Sequence, residues 1–440
     1  MSSSAIGIVR NAYVFLVISY AALFLIWFEA FRTVESLLIV GFVALLIAGA
    51  TTFSDALTPI RDPFFRACIV LAIFLIVAGA WHALTLPEGY SASSKVARHY
   101  LKPMLVVPLA VGLVLYLPQG RWYFLLAAVL GLTGYLVFST SAAEWQAAWA
   151  GRRVDFGIRN AQHTAMFFGV LTLGLMIFAP RLILSYRGWR RVVIVAAWAM
   201  FMALAVFGVV VTQTRAIWLG MLVAMLALLA CLVARVASQR GDRKSPKLFI
   251  GLAIVLGVGI ALPFGDRIWS TLENRLSAET VSLQSLTDAV TLSVEPTSST
   301  AVRVASWRLA LDWVSERPVL GWGAGSAKQL ITDSDKLSPW FKARFGHLHS
   351  SYMEALLAYG LVGFLLIAFV LVVLARRVYL AYSNGAMPFD VFVFACAFFA
   401  FWLVINKFES YILYSTGQYI FAVALGFVYS FCLGLEEKKR

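Results

Sequence analysis

Long apolar runs constrain the fold of this chain more than any other feature. A helix needs about 20 apolar residues to cross a bilayer, and the sequence contains twelve candidate runs of roughly that length. With 61% hydrophobic and 13% charged residues, there is too little polar surface to cover a soluble core. We therefore expect an all-α polytopic membrane protein with about 12 transmembrane helices. The runs occupy residues 13–31, 34–52, 67–86, 103–118, 122–140, 161–180, 192–212, 216–236, 248–264, 351–375, 389–408 and 411–434.

Lysine and arginine are unequally distributed between the connecting segments. If the N-terminus is cytoplasmic, eighteen fall on the inner side and about nine on the short outer segments, so the positive-inside rule predicts that both termini are cytoplasmic. The first run is expected to be a retained span rather than a signal peptide. The predicted organisation is helices 1–9 in residues 1–264, an external segment in 265–350 and helices 10–12 in 351–440.

The net charge of +14 does not indicate nucleic-acid binding. The basic residues are spread singly or in small groups between apolar runs, which is typical of loops that face anionic membrane lipids. All four cysteines fall inside apolar runs, where buried thiols are expected rather than disulfides or a zinc site.

Several basic residues nevertheless fall on the predicted outer side. Together they would create a positive field suited to phosphorylated partners, although each side chain could instead extend to lipid phosphates. Arg215 also stands between two apolar runs, where burying a charge is costly and suggests function. The outer basic residues that precede spans are Lys95, Arg98, His99, Lys102, Arg152, Arg153 and Arg159.

The predicted external segment contains the stretch 270–294, which is rich in Ser, Thr and Leu and has no clear periodicity, and then the main polar motif. The residues Ser298-Ser299-Thr300 predict an N-cap for an amphipathic helix that runs to about Glu316. Pro318 then stops the helix. On this helix Arg303 and Trp307 are four residues apart and share a face.

The histidines and arginines near these motifs suggest chemistry. His349, at the start of the tenth run, is our candidate general base, with His347 as a rival; either could instead be an interfacial anchor. The remaining histidines, His82, His99 and His163, are expected to be interfacial. Asp333 and Asp335 have a spacing known from metal sites, but a solvated turn is the favoured interpretation. No metal or cofactor is predicted.

Three motifs together resemble the signature of bacterial O-antigen ligases and the related O-antigen polymerases. In that family they are an arginine and a tryptophan on a periplasmic helix, a Pro-Leu-Leu-Gly-x-Gly turn, and a His-Asn-x-Tyr motif that opens a later span. The chain departs from the family pattern at Ser350, where Asn is usual, and in its second histidine at 347. The matching residues are Arg303, Trp307, the run 317–323 (RPVLGWG), the run 349–352 (HSSY) and the run 359–363 (YGLVG).

The resemblance implies a GT-C-type glycosyltransferase of the bacterial inner membrane. Such an enzyme transfers glycan from undecaprenyl pyrophosphate to a sugar hydroxyl of lipid A-core on the periplasmic face, with inversion and without metal. His349 would act as the base, and Arg215 and Arg303 would stabilise the departing pyrophosphate.

The resemblance also implies substrate-binding residues. His347, Tyr352 and Trp307 would contact substrate near the base. Charge position alone suggests further residues that bind the phosphates of the lipid A-core. These are Arg98, Lys102, Arg152 and Arg159.

Two alternatives remain open from sequence. The first is another member of the same group, either an O-antigen polymerase or a ligase that glycosylates a protein. The second is a transporter of lipid-linked glycan, for which we would expect internal repeats, or broken helices or ionisable residues near the membrane midplane.

Overall fold

The computed structural model describes residues 3–52, 61–237 and 298–433, together with positions 273 and 287. In these residues it is entirely helical, and eight helices are long and apolar enough to cross a membrane. The prediction of a polytopic α-helical protein is therefore confirmed, whereas the number twelve stays a prediction. The ninth predicted run, 248–264, and the stretch 270–294 lie outside the described residues.

Each of the other eleven predicted runs coincides with helical structure. The first two helices meet at Trp27, several residues earlier than predicted. The helices of the described residues are α1 (Ser3–Ile26), α2 (Phe28–Thr52), α3 (Pro63–Thr85), α4 (Ser94–Leu101), α5 (Val106–Tyr116), α6 (Arg121–Phe138), α7 (Ala142–Trp149), α8 (Ala161–Leu184), α9 (Gly188–Val211), α10 (Arg215–Ala237), α11 (Ser299–Glu316), α12 (Ser326–Asp333), α13 (Pro339–Arg344), α14 (Ser351–Ser383), α15 (Phe389–Ile405) and α16 (Ser415–Tyr429).

The fourth predicted run is built from three pieces. Helix α4 leads into a 3₁₀ turn, Lys102–Leu105, with Pro103 in its first turn, and α5 follows at once. Proline lacks an N–H and is tolerated at the start of a helical turn. The basic residues before this run are themselves helical, because Lys95, Arg98 and His99 lie inside α4 and Lys102 begins the 3₁₀ turn.

Helix α16 lies at the centre of the bundle, since every residue from Thr416 to Tyr429 is buried. It packs on α5, while α14 packs on α3, α10 on α15, α8 on α9 and α1 on α6. Small residues allow close approach between helices: the Cα of Gly208 faces the ring of Phe168, and Gly220 faces Ile405. We call the end where α8, α10, α14 and α16 begin the site end, and the other the opposite end.

Helix α14 is broken at Gly360, whose φ of 61° and ψ of −164° are not helical. A run of residues, 317–325, which we call the glycine loop, inserts beside the break. Its Trp322 N–H donates to the Leu357 carbonyl at 2.8 Å, and the Leu361 N–H donates to the Pro318 carbonyl at 2.8 Å. The glycine loop therefore satisfies backbone groups that the break would otherwise leave unpaired in an apolar environment.

Glycine is required where these two backbones meet. A Cβ on Gly321, which has a φ of 74°, would lie 2.5 Å from the Leu357 carbonyl oxygen, and one on Gly360 would lie 2.4 Å from the carbonyl of Val319. The runs 317–323 and 359–363, which the sequence offered as separate motifs, thus form one interlocked element under the site end.

At the opposite end, buried charges are paired. Arg377 Nη2 lies 2.6 Å from Asp62 Oδ2 and donates to the Cys432 carbonyl at 3.0 Å, while the Tyr429 hydroxyl donates to Asp62 Oδ1 at 2.5 Å. This network joins α3, α14 and the end of α16.

Candidate active site

Two histidines and a glutamate meet at the site end. His347 and His349 come from the segment before α14, and Glu409 comes from the connection between α15 and α16. The two imidazole centroids are 4.0 Å apart, and His347 Nδ1 lies 3.8 Å from Glu409 Oε1. We call these three residues the His–Glu cluster.

Leu348, the residue between the two histidines, makes hydrogen bonds through both its backbone N–H and its backbone carbonyl. Its N–H donates to Glu354 Oε1 at 2.6 Å, and its carbonyl accepts from Trp307 Nε1 at 3.0 Å. The Leu348 side chain is fully buried, and Ser350 caps α14 by accepting from the Met353 N–H. These contacts orient both imidazoles, so that Trp307, predicted to contact substrate, positions the histidine segment in this structure.

His349 differs from His347 in its surroundings. Its φ is 50°, a conformation that costs a non-glycine residue roughly 1–3 kcal/mol and is concentrated at functional sites. Neither of its buried ring nitrogens has a hydrogen-bond partner among the described residues, and the Phe345 ring packs edge-on against it at 5.4 Å. By contrast, His347 Nδ1 accepts the His349 N–H at 3.2 Å. Both nitrogens are buried, so a neighbouring group must shift before a substrate hydroxyl can reach them.

Three arginines from separate elements lie near this end of the bundle, with Arg159 and Arg303 beside the cluster and Arg215 linked to Arg303 through Ser299. Arg303 donates from Nε to the Phe408 carbonyl at 3.2 Å and from Nη1 to the Ser299 carbonyl at 3.2 Å. Arg215 Nη2 donates to Ser299 Oγ at 3.3 Å, so these two guanidiniums meet at one serine. The third, Arg159, lies 3.5 Å above the Tyr414 ring, which itself contacts His347.

Burial and these arginines set the protonation of the cluster. Burial, then Arg159 and Arg303, lower the pKa of His347 to about 4. Burial, then His347 and Arg303, lower the pKa of His349 to about 2. Burial raises the pKa of Glu409, and the Ser410 N–H, Arg303 and Arg159 partly oppose that rise. Both imidazoles are therefore neutral near pH 7 and have a lone pair available.

The other predicted substrate residues lie further out. The Tyr352 hydroxyl donates to the Leu403 carbonyl at 2.6 Å, and Lys102 Nζ is 2.8 Å from Glu35 Oε1. Arg98 and Arg152 are exposed. Within the described chain, no hydrogen bond, ion pair or ring contact joins Arg98, Lys102 or Arg152 to the His–Glu cluster.

The remaining three histidines form hydrogen bonds with neighbouring segments. His82 and His163 lie close to helix ends, as expected, and their side chains are buried, at 1% and 0% exposed. His82 Nε2 donates to the Leu320 carbonyl of the glycine loop at 2.9 Å, and His163 Nδ1 is hydrogen-bonded to Thr416 Oγ1 at 2.6 Å. His99 bonds the Leu413 carbonyl. All three therefore support segments next to the cluster.

An apolar cavity of about 670 Å³ lies directly below the histidine segment, between α3, α14, α15 and α16. Its polar corner is formed by Ser351, Tyr352 and Asn406, and Ser351 Oγ donates to Asn406 Oδ1 at 2.6 Å. A long apolar group in this cavity would have its polar end at the His–Glu cluster.

A second recess, of about 670 Å³, lies beside the start of α8 and is polar. It adjoins the segment that carries Arg159. Its polar lining residues are Glu144, Arg152, Arg153, Asp155, Asn160 and Gln162. Side chains of this kind can hydrogen-bond sugar hydroxyls and phosphates.

Sequence reasoning missed both carboxylates of the site. Glu354 is 4% exposed and Glu409 is 2% exposed, and each lies within or beside an apolar run. A carboxylate in such a run is a functional hypothesis by default, so this signal was available. Asp333 and Asp335, by contrast, are exposed, as expected of a solvated turn, and the His–Glu cluster is the group of possible metal ligands that the described residues contain.

Residues 200–368 match the family model Wzy_C, described as O-antigen ligase. This part of the chain belongs to the O-antigen ligase family. The matched residues include Arg215, Arg303, His349 and the break at Gly360, whereas Arg159 and Glu409 lie outside them. No curated protein matches the chain.

Membership in the O-antigen ligase family supports an enzyme of the ligase and polymerase group over a transporter. The broken helix that a transporter predicts is present at Gly360, but its backbone is closed by the glycine loop.

Proposed function

We propose that this protein is an O-antigen ligase, which transfers glycan from undecaprenyl pyrophosphate to a sugar hydroxyl of lipid A-core. The observation that carries the proposal is an apolar cavity whose polar corner is linked to the His–Glu cluster, because Ser351 Oγ in its lining donates to the Glu409 carbonyl at 3.2 Å; Arg159 and Arg303 lie beside that cluster. A polyprenyl diphosphate has the same arrangement, because a long apolar chain ends in a polyanion.

The apolar cavity would hold the first part of the polyprenyl chain, and Arg215, Arg303 and Arg159 would bind the diphosphate. Guanidinium groups suit this role because they stay charged and bind phosphate oxygens in pairs. Two of these arginines already converge on Ser299. A metal ion is therefore not needed to neutralise the diphosphate.

His349 would act as the general base. Its ring nitrogens make no hydrogen bond to another described residue, whereas His347 Nδ1 accepts a backbone N–H. His349 would take the proton of the acceptor hydroxyl as that oxygen attacks the anomeric carbon from the face opposite the diphosphate. The bond from the anomeric carbon to the diphosphate oxygen breaks, and its electron pair remains on that oxygen, where the arginines stabilise the charge. The anomeric configuration is inverted.

Binding of the donor would also strengthen this base. In the free protein, burial and Arg303 disfavour the protonated form of His349. A bound diphosphate places negative charge close to the same imidazole, and an opposite charge at short distance favours protonation. The base would thus become effective when the donor is in place.

Acceptor binding is assigned to the polar recess beside α8. Arg152 lies in its lining and would bind phosphates of lipid A-core, next to Arg159 at the cluster. Arg98 would contribute less directly, and Lys102 least, because Glu35 already offsets its charge. The proposal places the site on the periplasmic face of the inner membrane with both termini in the cytoplasm.

The test is transfer by the purified full chain, with undecaprenyl-pyrophosphate-linked glycan, lipid A-core and chelator. A general base contributes about 10²- to 10⁴-fold to the rate, so we expect a loss of that size in His349→Ala and a smaller loss in His347→Ala. Undiminished transfer by His349→Ala would refute the assignment of the base.

The same assay separates the members of the family. Product on lipid A-core supports a ligase. Product on lipid-linked glycan alone would identify a polymerase, and product on a protein side chain would identify a protein ligase.

A further inference from the structure

We propose that His347, His349 and Glu409 bind a divalent transition-metal ion such as Zn²⁺, and that this ion inhibits the enzyme. The binding site stands on its own geometry, whereas the inhibition rests on the proposed function. The ion is an exchangeable inhibitor, so the proposal is compatible with glycan transfer that needs no metal.

The donor set and its spacing fit such an ion. One ligand atom from each residue lies within 4.8 Å of the other two. Zinc bonds of about 2.0–2.2 Å at tetrahedral angles place ligand atoms roughly 3.4 Å apart, so small side-chain rotations would close the cluster around an ion. Two imidazoles and one carboxylate are a known zinc set, and they leave a fourth position for water.

Unpartnered polar atoms point to a ligand at this place. Both ring nitrogens of His349 are buried and accept or donate no hydrogen bond in the described structure. Leaving a buried polar atom without a partner is unfavourable, and coordination would remove that penalty for one nitrogen. The Glu409 carboxylate is already oriented, because its Oε1 accepts the Ser410 N–H at 2.9 Å, as expected for a ligand fixed by surrounding hydrogen bonds.

His347 completes the donor set of the site. Without His347, only one imidazole and one carboxylate would remain. Such a pair is too small a donor set for the three protein ligands that zinc usually requires.

The positive charges around the site should weaken metal binding, so that the bound ion exchanges with ions in solution. Arg159 and Arg303 act on both His347 and Glu409, and like charge opposes a cation at this distance. We therefore expect weaker binding than in a structural zinc site. Coordination of a His349 nitrogen would occupy the lone pair that accepts the acceptor proton, so transfer would stop while the metal is bound.

Binding is tested with the metal alone. The chelator-treated full chain in detergent is titrated with Co²⁺, whose visible absorption reports tetrahedral coordination, and then with Zn²⁺. We expect one Co²⁺ per chain, displaced by Zn²⁺, with affinity reduced at least tenfold in His347→Ala and in Glu409→Gln. Asp333→Asn, which removes an exposed carboxylate, should bind as the parent does. No tetrahedral spectrum, or equal binding by His347→Ala and the parent, would overturn the site.

Inhibition is tested separately in the transfer assay. Zn²⁺ should stop transfer by the parent, and chelator should restore it, whereas the residual activity of His347→Ala should be at least tenfold less sensitive to Zn²⁺. Equal sensitivity of the two proteins would overturn the inhibitory role. Metal binding by a parent that transfers no glycan would count against the proposed function alone, since the spectrum is read without turnover.

Discussion

Charged side chains are arranged differently at the two ends of the helical bundle. At the opposite end, Arg377 is matched to Asp62 at 2.6 Å, and Arg181 binds Asp390 through two hydrogen bonds of 2.6 and 2.7 Å. At the site end, three arginines from different elements gather around two neutral histidines and the carboxylate of Glu409. Matched charges join helices, while the cations near His347 and His349 are the feature on which the proposed binding of a polyanion rests.

Backbone strain follows the same division. Among the described residues, the non-glycine positions with positive φ are Phe156, Arg159, Gln213 and His349, and all four lie at the site end. Each such conformation costs roughly 1–3 kcal/mol and persists only where the surroundings impose it. The strained backbone that places Arg159 and His349 therefore reduces the stability of the fold. The paired charges of the opposite end help to offset this loss.

The largest effect is expected where the glycine loop meets the broken helix. In Gly321→Ala, positive φ and a Cβ 2.5 Å from the Leu357 carbonyl oxygen should together destabilise the fold by about 4 kcal/mol or more. Gly89→Ala is the control, because Gly89 has a φ of 87° and no atom within 4 Å of the added Cβ; about 1–3 kcal/mol is expected there. The measurement is the melting temperature in detergent. Equal decreases for Gly321→Ala and Gly89→Ala would show that the contact between the glycine loop and α14 contributes no stability.

Next comes the ion pair of the opposite end. Arg377→Ala leaves the Asp62 carboxylate buried and without its guanidinium, which should cost about 3–5 kcal/mol and lower the melting temperature. The specific activity of the folded fraction should not change. Arg376→Ala, which alters the exposed neighbour, should do neither. A fall in specific activity of folded Arg377→Ala would contradict the division between the two ends.

Replacement of Arg303 should lower activity and leave stability unchanged, the reverse of what is expected for Arg377→Ala. Removal of one group that stabilises developing charge reduces the rate about 10²- to 10³-fold, and we expect a loss of this size in kcat for Arg303→Ala with little change in melting temperature. Arg308, which is exposed on the same helix and pairs with Asp312, provides the control Arg308→Ala. A similar kcat for both variants would remove Arg303 from the mechanism.

The smallest effect is expected in the polar recess. Arg152 is exposed, and an exposed charge contributes only about 0.2–1 kcal/mol, so Arg152→Ala should raise the KM for lipid A-core up to roughly fivefold. The KM for the lipid-linked donor should stay constant. Arg187→Ala, at the opposite end, should change neither value; a rise in donor KM with Arg152→Ala would move this residue to the donor site.

The sequence by itself determined the helices, because a bilayer requires long apolar runs and local capping rules act within a few residues. Eleven of the twelve runs can be compared with the structure, and all eleven are helical. Ser298 caps α11, as predicted, and α14 begins at Ser351 directly after His349. Local motifs were also sufficient to select His349, Arg215 and Arg303, which the structure brings to one place.

Only the tertiary structure decided which distant groups share that place. Glu409 reaches His347 across α14 and α15, Arg159 reaches the cluster from the loop before α8, and Glu35 of α2 pairs with Lys102. No periodicity encodes these meetings, since they depend on how apolar helices pack around α16. The break at Gly360 is of the same kind: its sequence predicts a continuous apolar helix, and the backbone groups that it frees can be satisfied only when the glycine loop lies beside it.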